Sequence, residues 1–348
     1  MISIYFNKTG YHSNEDTGNQ LLSEDIRAVI EIVNYVFICT IFSLFGIVSN
    51  NINIVVFYKQ GLNSSINISF LALAVSDLCS LVTLLWFNIR ANPYIVNSDL
   101  PIVASEFVHL TGGFPHACFA RITCLITTYV TAERCLCITL PLTVKRLITP
   151  RRTTVIIFFI YALPLTSLAP EYLSMYIDWK FYPDKNISLL GLVPTTNYDK
   201  LSGLTFLLYA AYILVSFSAL IIFTITLIIT LRRKTKWRKV SIHEIKQSDT
   251  LSTRDQKTVT MVIVIAIVLL VCYTPSVVIN IAVYTAPGFN VVGKYSNIFF
   301  VTWSFGFAMD AFNSSVSMVL YYKMSSKYRT TLHELFAGCK PNNGKQVA

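Results

Sequence analysis

Long apolar runs separated by short basic connectors dominate the chain. Leu201 to Leu231 is 31 residues without a charge, and Thr258 to Gly293 is 36. Ile32 to Tyr58 and Thr153 to Pro170 are two further charge-free runs. Three more apolar stretches carry one ionisable residue near the middle: Asp77 in roughly 66–90, Arg121 in 105–138 and Asp310 in 296–321. A helix that crosses the hydrocarbon core of a bilayer needs about 20 mostly apolar residues. None of these runs alternates with the period of two that marks a barrel strand. The pattern predicts an all-α integral membrane protein with seven spanning helices. Their bounds fall at about 32–58, 66–90, 105–138, 152–173, 201–231, 257–285 and 296–322. A polar tail over 1–31 precedes this seven-transmembrane domain (32–322), and a second tail over 323–348 follows it.

Composition agrees. Of 348 residues, 54% are hydrophobic and 13% charged, about half the charged fraction of an ordinary globular domain, so lipid must serve as solvent for much of the surface. A formal net charge of +10 raises the question of nucleic acid, but the excess is confined to a few connectors, as in cytoplasmic loops that face anionic lipid. Residues Met1 to Gln20 are polar, so no cleaved signal peptide is expected.

Orientation follows from Lys and Arg in the connectors. With the N-terminus outside, 19 of these residues lie on the inner side and 7 on the outer side. The sequons Asn7-Lys8-Thr9 and Asn186-Ile187-Ser188 then face outward, and both Asn7 and Asn186 become glycosylation candidates.

The inner end of span three reads Ala132-Glu133-Arg134-Cys135-Leu136-Cys137-Ile138-Thr139-Leu140-Pro141-Leu142. On its own Arg134 could be a snorkelling interfacial side chain; beside Glu133 it could also pair, or swing to meet a partner. Other short motifs follow in order: Gly46-Ile47-Val48-Ser49-Asn50 in span one, Asn67 with Leu73-Ala74-Val75-Ser76-Asp77 in span two, and Cys272-Tyr273-Thr274-Pro275 in span six. Span seven ends Asn313-Ser314-Ser315-Val316-Ser317-Met318-Val319-Leu320-Tyr321, and Tyr328-Arg329 comes after it. Together, over roughly 33–339, these elements resemble a rhodopsin-like (class A) G-protein-coupled receptor. The divergence is broad. Span four lacks the family's Trp, with Tyr161 nearby; span five has no Pro; and Ser317 and Met318 stand for Asn-Pro. His109 occupies the position of the cysteine that the family uses to staple its second outer loop, and no Cys occurs between Pro141 and Val271, so no structural disulfide is expected. The chain is most similar to invertebrate chemosensory or peptide receptors.

The resemblance implies roles. Glu133, Arg134, Asp255 and Tyr321 would form the inner lock and the coupling site for a heterotrimeric G protein. Asp77, Thr123, Asn313, Ser314 and Ser317 would line a pocket for an allosteric sodium ion; no other cofactor is implied. A charge inside the bilayer costs about 2.5–3.5 kcal/mol on insertion scales and is functional by default. Arg121 lies 13 residues outward of Arg134, about 20 Å along a helix, near the base of an outward cavity, with Asp310 at similar depth. The two form a buried pair, or one or both meet a charged ligand group. His116 and Tyr273 complete the expected ligand pocket. His116 stands where amine receptors keep an Asp, which argues against a monoamine there, and Ala311 occupies the retinal-lysine position, which excludes an opsin. His109 and His116, seven apart, share a face in an ideal helix; a metal site between them is the minor reading.

Leu332, Leu335 and Phe336 among basic residues predict a short amphipathic helix after span seven, with Cys339 a palmitoylation candidate. The implied partners are a G protein, an extracellular small molecule or peptide, and lipid, in a multi-pass plasma-membrane protein with its C-terminus cytoplasmic. A channel or transporter is the alternative, but no internal repeat of the transporter kind is visible. No enzyme motif is visible either.

Overall fold

The computed structural model describes residues 21–89, 92, 100–182, 186–241, 253–290 and 293–337, the side chains at 141, 142, 145, 235–241 and 253–255 excepted. Eight helices organise these residues: α1 (Glu24–Lys59), α2 (Ser65–Asn88), α3 (Ala104–Thr139), α4 (Pro150–Ser174), α5 (Tyr198–Ser241), α6 (Thr253–Thr285), α7 (Ser296–Met324) and α8 (Ser326–Ala337). A short helix over Pro141–Leu147 links α3 to α4.

Local chemistry explains the starts. The Ser23 hydroxyl accepts from the Ile26 amide at 3.4 Å, and Thr149 accepts from the Arg152 amide at 3.4 Å with Pro150 as the first helical residue. Both satisfy amide groups that a helix N-terminus otherwise leaves unpaired.

Among the described residues, six helices are long and apolar enough to cross a membrane, α1 to α6. The seventh, α7, has 29 residues but is not among the six. Its Ser304, Asn313, Ser314, Ser315 and Ser317 lower its hydropathy, and all five are buried against neighbouring helices.

α3 runs through the middle and touches α2, α4, α5 and α6. Cys118, Ile122, Ile126 and Val130 recur every four residues along it and are at most 3% exposed. In lipid, helices gain by close backbone approach at small residues. Gly46 is such a place: a Cβ there would stand 2.4 Å from the Leu81 side chain on α2 and 2.6 Å from the Ser315 hydroxyl on α7. The outer surface is the reverse of a soluble protein's, with Phe158, Leu207 and Val215 each 65–69% exposed; an apolar belt of this kind marks a face made for lipid or a partner.

Between α4 and α5 the chain folds into a hairpin, β1 (Met175–Tyr182) antiparallel to β2 (Ile187–Pro194). Asn186 takes its turn with φ 51°, a left-handed conformation that Asn tolerates.

Candidate functional site

The midplane cluster centres on Asp77 of α2. One carboxylate oxygen accepts from the Thr123 hydroxyl of α3 at 2.9 Å and from the Ser314 hydroxyl of α7 at 3.1 Å. Asp77, Thr123, Asn313 and Ser317 line a cavity of about 10 Å³, room for roughly one water-sized species. Asn50 ties α1 to the same place, donating to the carbonyl of Ser314 at 2.7 Å. The donor set is all oxygen, with one formal negative charge. That composition fits a small hard cation.

At the inner end of α3, Arg134 donates to the Glu133 carboxylate at 2.6 Å. Lys234 of α5 caps the same end by donating to the carbonyl of Ile138 at 2.6 Å. Tyr321 is 1% exposed and packs edge-on against Phe57, with Phe70 and Tyr328 completing an aromatic cluster. The Tyr328 hydroxyl donates to Asn53 at 2.6 Å, which holds α8 under the bundle. The side chain of Asp255 lies outside the described residues, as do Asn7 and Cys339.

The outer half is arranged differently from the simplest expectation. Arg121 and Asp310 do not form an ion pair. Arg121 instead lies over the Tyr209 ring of α5, 3.8 Å from its centroid, and donates to the Ala117 carbonyl. Asp310 faces His116, whose Nε2 is 3.8 Å from the carboxylate, while His116 Nδ1 lies 3.1 Å from the Ser80 hydroxyl. Tyr273 of α6 is buried beside Ala120, Cys124 and Leu269, two residues before the helix-interior Pro275. A π turn over His109–Gly113 lies between His109 and His116; His109 packs on Phe87 of α2 and on Phe114, while His116 packs on Phe307 and reaches Ser80 of α2.

Two carboxylates carry more than the hydropathy pattern indicated. Glu106, in the first turn of α3, accepts from the Leu192 amide at 2.7 Å and the Tyr182 hydroxyl at 3.1 Å, one from each hairpin strand. Burial and the Glu106 charge push the Tyr182 phenol above its usual range, so it stays a donor. Gly191 permits the approach, since a Cβ there would stand 2.2 Å from the Tyr182 hydroxyl. A backbone bridge reinforces the link: Val103 donates to Leu190 at 3.0 Å and Leu190 to Pro101 at 2.8 Å. The hairpin is therefore fastened to the top of α3 by hydrogen bonds. The second carboxylate, Glu171 near the end of α4, is fully buried. A charge just after the apolar run 153–170 was the available signal.

Tyr161 of α4 donates to the Ala72 carbonyl at 2.7 Å, fastening α4 to α2 where the resembled receptors have a Trp. The Asn186 sequon is exposed on the hairpin turn. Among the described residues no disulfide forms; Cys39, Cys79, Cys118, Cys124, Cys135 and Cys272 are thiols.

No curated protein matches the chain. A family model described as Serpentine type 7TM GPCR chemoreceptor Srw matches residues 34–339, all but the two ends. A bundle around α3, an acidic midplane cluster and a Glu-Arg pair at the helix end thus sit within a match to nearly the whole length: the chain belongs to the serpentine seven-transmembrane chemoreceptor family Srw, of the G-protein-coupled receptor kind.

Proposed function

We propose that this chain is a plasma-membrane chemoreceptor that binds an extracellular small molecule or peptide and activates a heterotrimeric G protein by outward movement of α6. In this reading seven helices span, α7 included, the N-terminus is extracellular and the tail with α8 cytoplasmic. The excess of Lys and Arg in the connectors assigned to the inner side supports that orientation. The observation that carries the mechanism is the Glu133–Arg134 contact of 2.6 Å at the end of α3. A charge-assisted pair is strong enough to hold a resting state and can exchange its partner. Asp255, 20 residues before Pro275, closes on Arg134 at rest; breaking both contacts opens the groove for the G protein. Pro275 and Tyr273 act as the hinge and its trigger, because a helix-interior Pro frees a carbonyl.

His116, Arg121, Tyr273 and Asp310 face the ligand. A sodium ion held by Asp77, Thr123, Asn313, Ser314 and Ser317 stabilises the resting packing, supported by the oxygen-only donor set around a cavity of about 10 Å³. Asn7 and Asn186 carry glycans and Cys339 a palmitoyl chain. The test is a ligand screen in cells expressing a promiscuous G-protein alpha subunit, with wild type and Arg134→Ala side by side at matched surface level. The reading requires the response to be lost in the variant; a response of undiminished size would overturn the mechanism.

A further inference from the structure

The outer ends of α4 and α5 hold a buried acid with nothing to neutralise it. Glu171 is 0% exposed, and neither of its carboxylate oxygens has a hydrogen-bond partner. None of the ion pairs among the described residues includes it. Ser202 and Thr205 of α5 flank the carboxylate, but the Thr205 hydroxyl donates to the Leu201 carbonyl at 3.2 Å. Three tyrosines neighbour the same acid: Tyr172, Tyr198 and Tyr209. The hydroxyls of Tyr198 and Tyr209 are also buried without a partner. The closest cation on α3, Arg121, is engaged on the ring of Tyr209.

A carboxylate taken out of water with no counter-charge is costly, on the order of several kcal/mol. A buried acid attracts a cation, and an aromatic ring nearby adds to that attraction for an organic cation through its quadrupole. We propose that Glu171 is the anionic half of a ligand subsite for an ammonium group, with Tyr172, Tyr198 and Tyr209 as its aromatic wall. It borders the pocket at His116 and Asp310, since Arg121 of that pocket lies on the Tyr209 ring, and it uses a different helix from the acid of the amine receptors.

The roof supports entry from outside. Met175 of β1 and Leu192 of β2 pack on Tyr198 and close the subsite. The hairpin carrying them is fastened to α3 at Glu106 by hydrogen bonds, which can open and re-form, where a disulfide would not. A small ammonium compound enters when the hairpin lifts.

This inference names a ligand class for the receptor proposed above and rests on that reading, so its test is made without a G protein. The probes are choline and its uncharged isostere 3,3-dimethyl-1-butanol, each added to the purified full chain in lipid nanodiscs. Thermal unfolding is followed by intrinsic fluorescence. Choline raises the unfolding midpoint of wild type by about 2 °C or more once well above its dissociation constant; the neutral isostere does not. Glu171→Gln abolishes the choline shift, and Tyr172→Leu, at a side chain 41% exposed, weakens choline binding about 2- to 5-fold. The Tyr172 variant keeps the test decisive if the Glu171 variant fails to fold. Arg134→Ala keeps the full shift, so loss of coupling and loss of binding are told apart. Equal shifts from both probes, no shift from choline up to saturation, or a shift that survives Glu171→Gln would overturn the subsite.

Discussion

The inner and outer halves of the bundle treat charge in opposite ways. Inside, Arg134 and Glu133 meet at 2.6 Å and Asp77 accepts from two hydroxyls. Outside, among the described residues, Asp310 has the His116 imidazole at 3.8 Å, and Arg121 has a ring and a carbonyl. Glu171 has neither. Buried polar groups are normally paired, and both halves keep exceptions, Glu133 Oε2 and Tyr321 OH inside and Glu171 and Asp310 Oδ1 outside; the difference is that the inner Arg and Glu meet each other, whereas Arg121 and Asp310 do not. In the function proposed above, the inner contacts hold a state and the outer groups receive a ligand.

That contrast can be broken from the inside first. Arg134→Ala leaves Glu133 buried without its partner, a change that costs about 3–5 kcal/mol in comparable sites. It should lower the unfolding midpoint more than any other single change named here, whereas Glu133→Gln, which keeps shape and removes charge, should lower it less. At the outer rim, Glu106→Gln weakens the charge-assisted bond to the Leu192 amide, worth about 1.5–3 kcal/mol. Hydrogen exchange at Leu192 should accelerate roughly 10- to 150-fold while exchange in α3 below Ile122 stays unchanged. Gly46→Ala forces a Cβ against Leu81 and Ser315 and should cost about 1–3 kcal/mol, seen as a lower midpoint with the same ligand profile. Asp77→Asn should remove sodium sensitivity of the midpoint that wild type displays at constant ionic strength, for a loss of about 1 kcal/mol or less. Asn186→Gln should leave stability unchanged and only sharpen the band on a denaturing gel.

How far the sequence could be read depended on the kind of signal. Apolar runs made the membrane-spanning, helical character legible because lipid demands length and apolarity directly. α7 is the instructive case. Its serines and Asn313 lower its hydropathy, yet they turn inward against Asn50, Asp77 and Phe42. Composition cannot tell an inward polar stripe from a poor span, whereas motif order could. The clustering of Asp77, Thr123 and Ser314 was likewise legible only through the resemblance, since three distant helices contribute. The Arg121–Asp310 pairing was one of two open readings. It fails because depth along a helix does not fix azimuth: Arg121 points to Tyr209 on α5 while Asp310 points to His116. The π turn between His109 and His116 is not written in hydropathy. Glu106 and Glu171 were passed over because each lies at the edge of a span, where a charge reads as solvated. The hairpin over Glu106 has only the short apolar segment 189–193, too short to read as a span.

The Glu133–Arg134 contact is the proposed inner lock. Basal nucleotide exchange on a promiscuous G-protein alpha subunit, measured without ligand in membranes matched for receptor amount, tests it. Glu133→Gln should raise exchange above wild type by several-fold, within the 5- to 150-fold span of typical coupling energies, and Arg134→Ala should hold it at or below wild type. Exchange equal to wild type in both variants would contradict the lock.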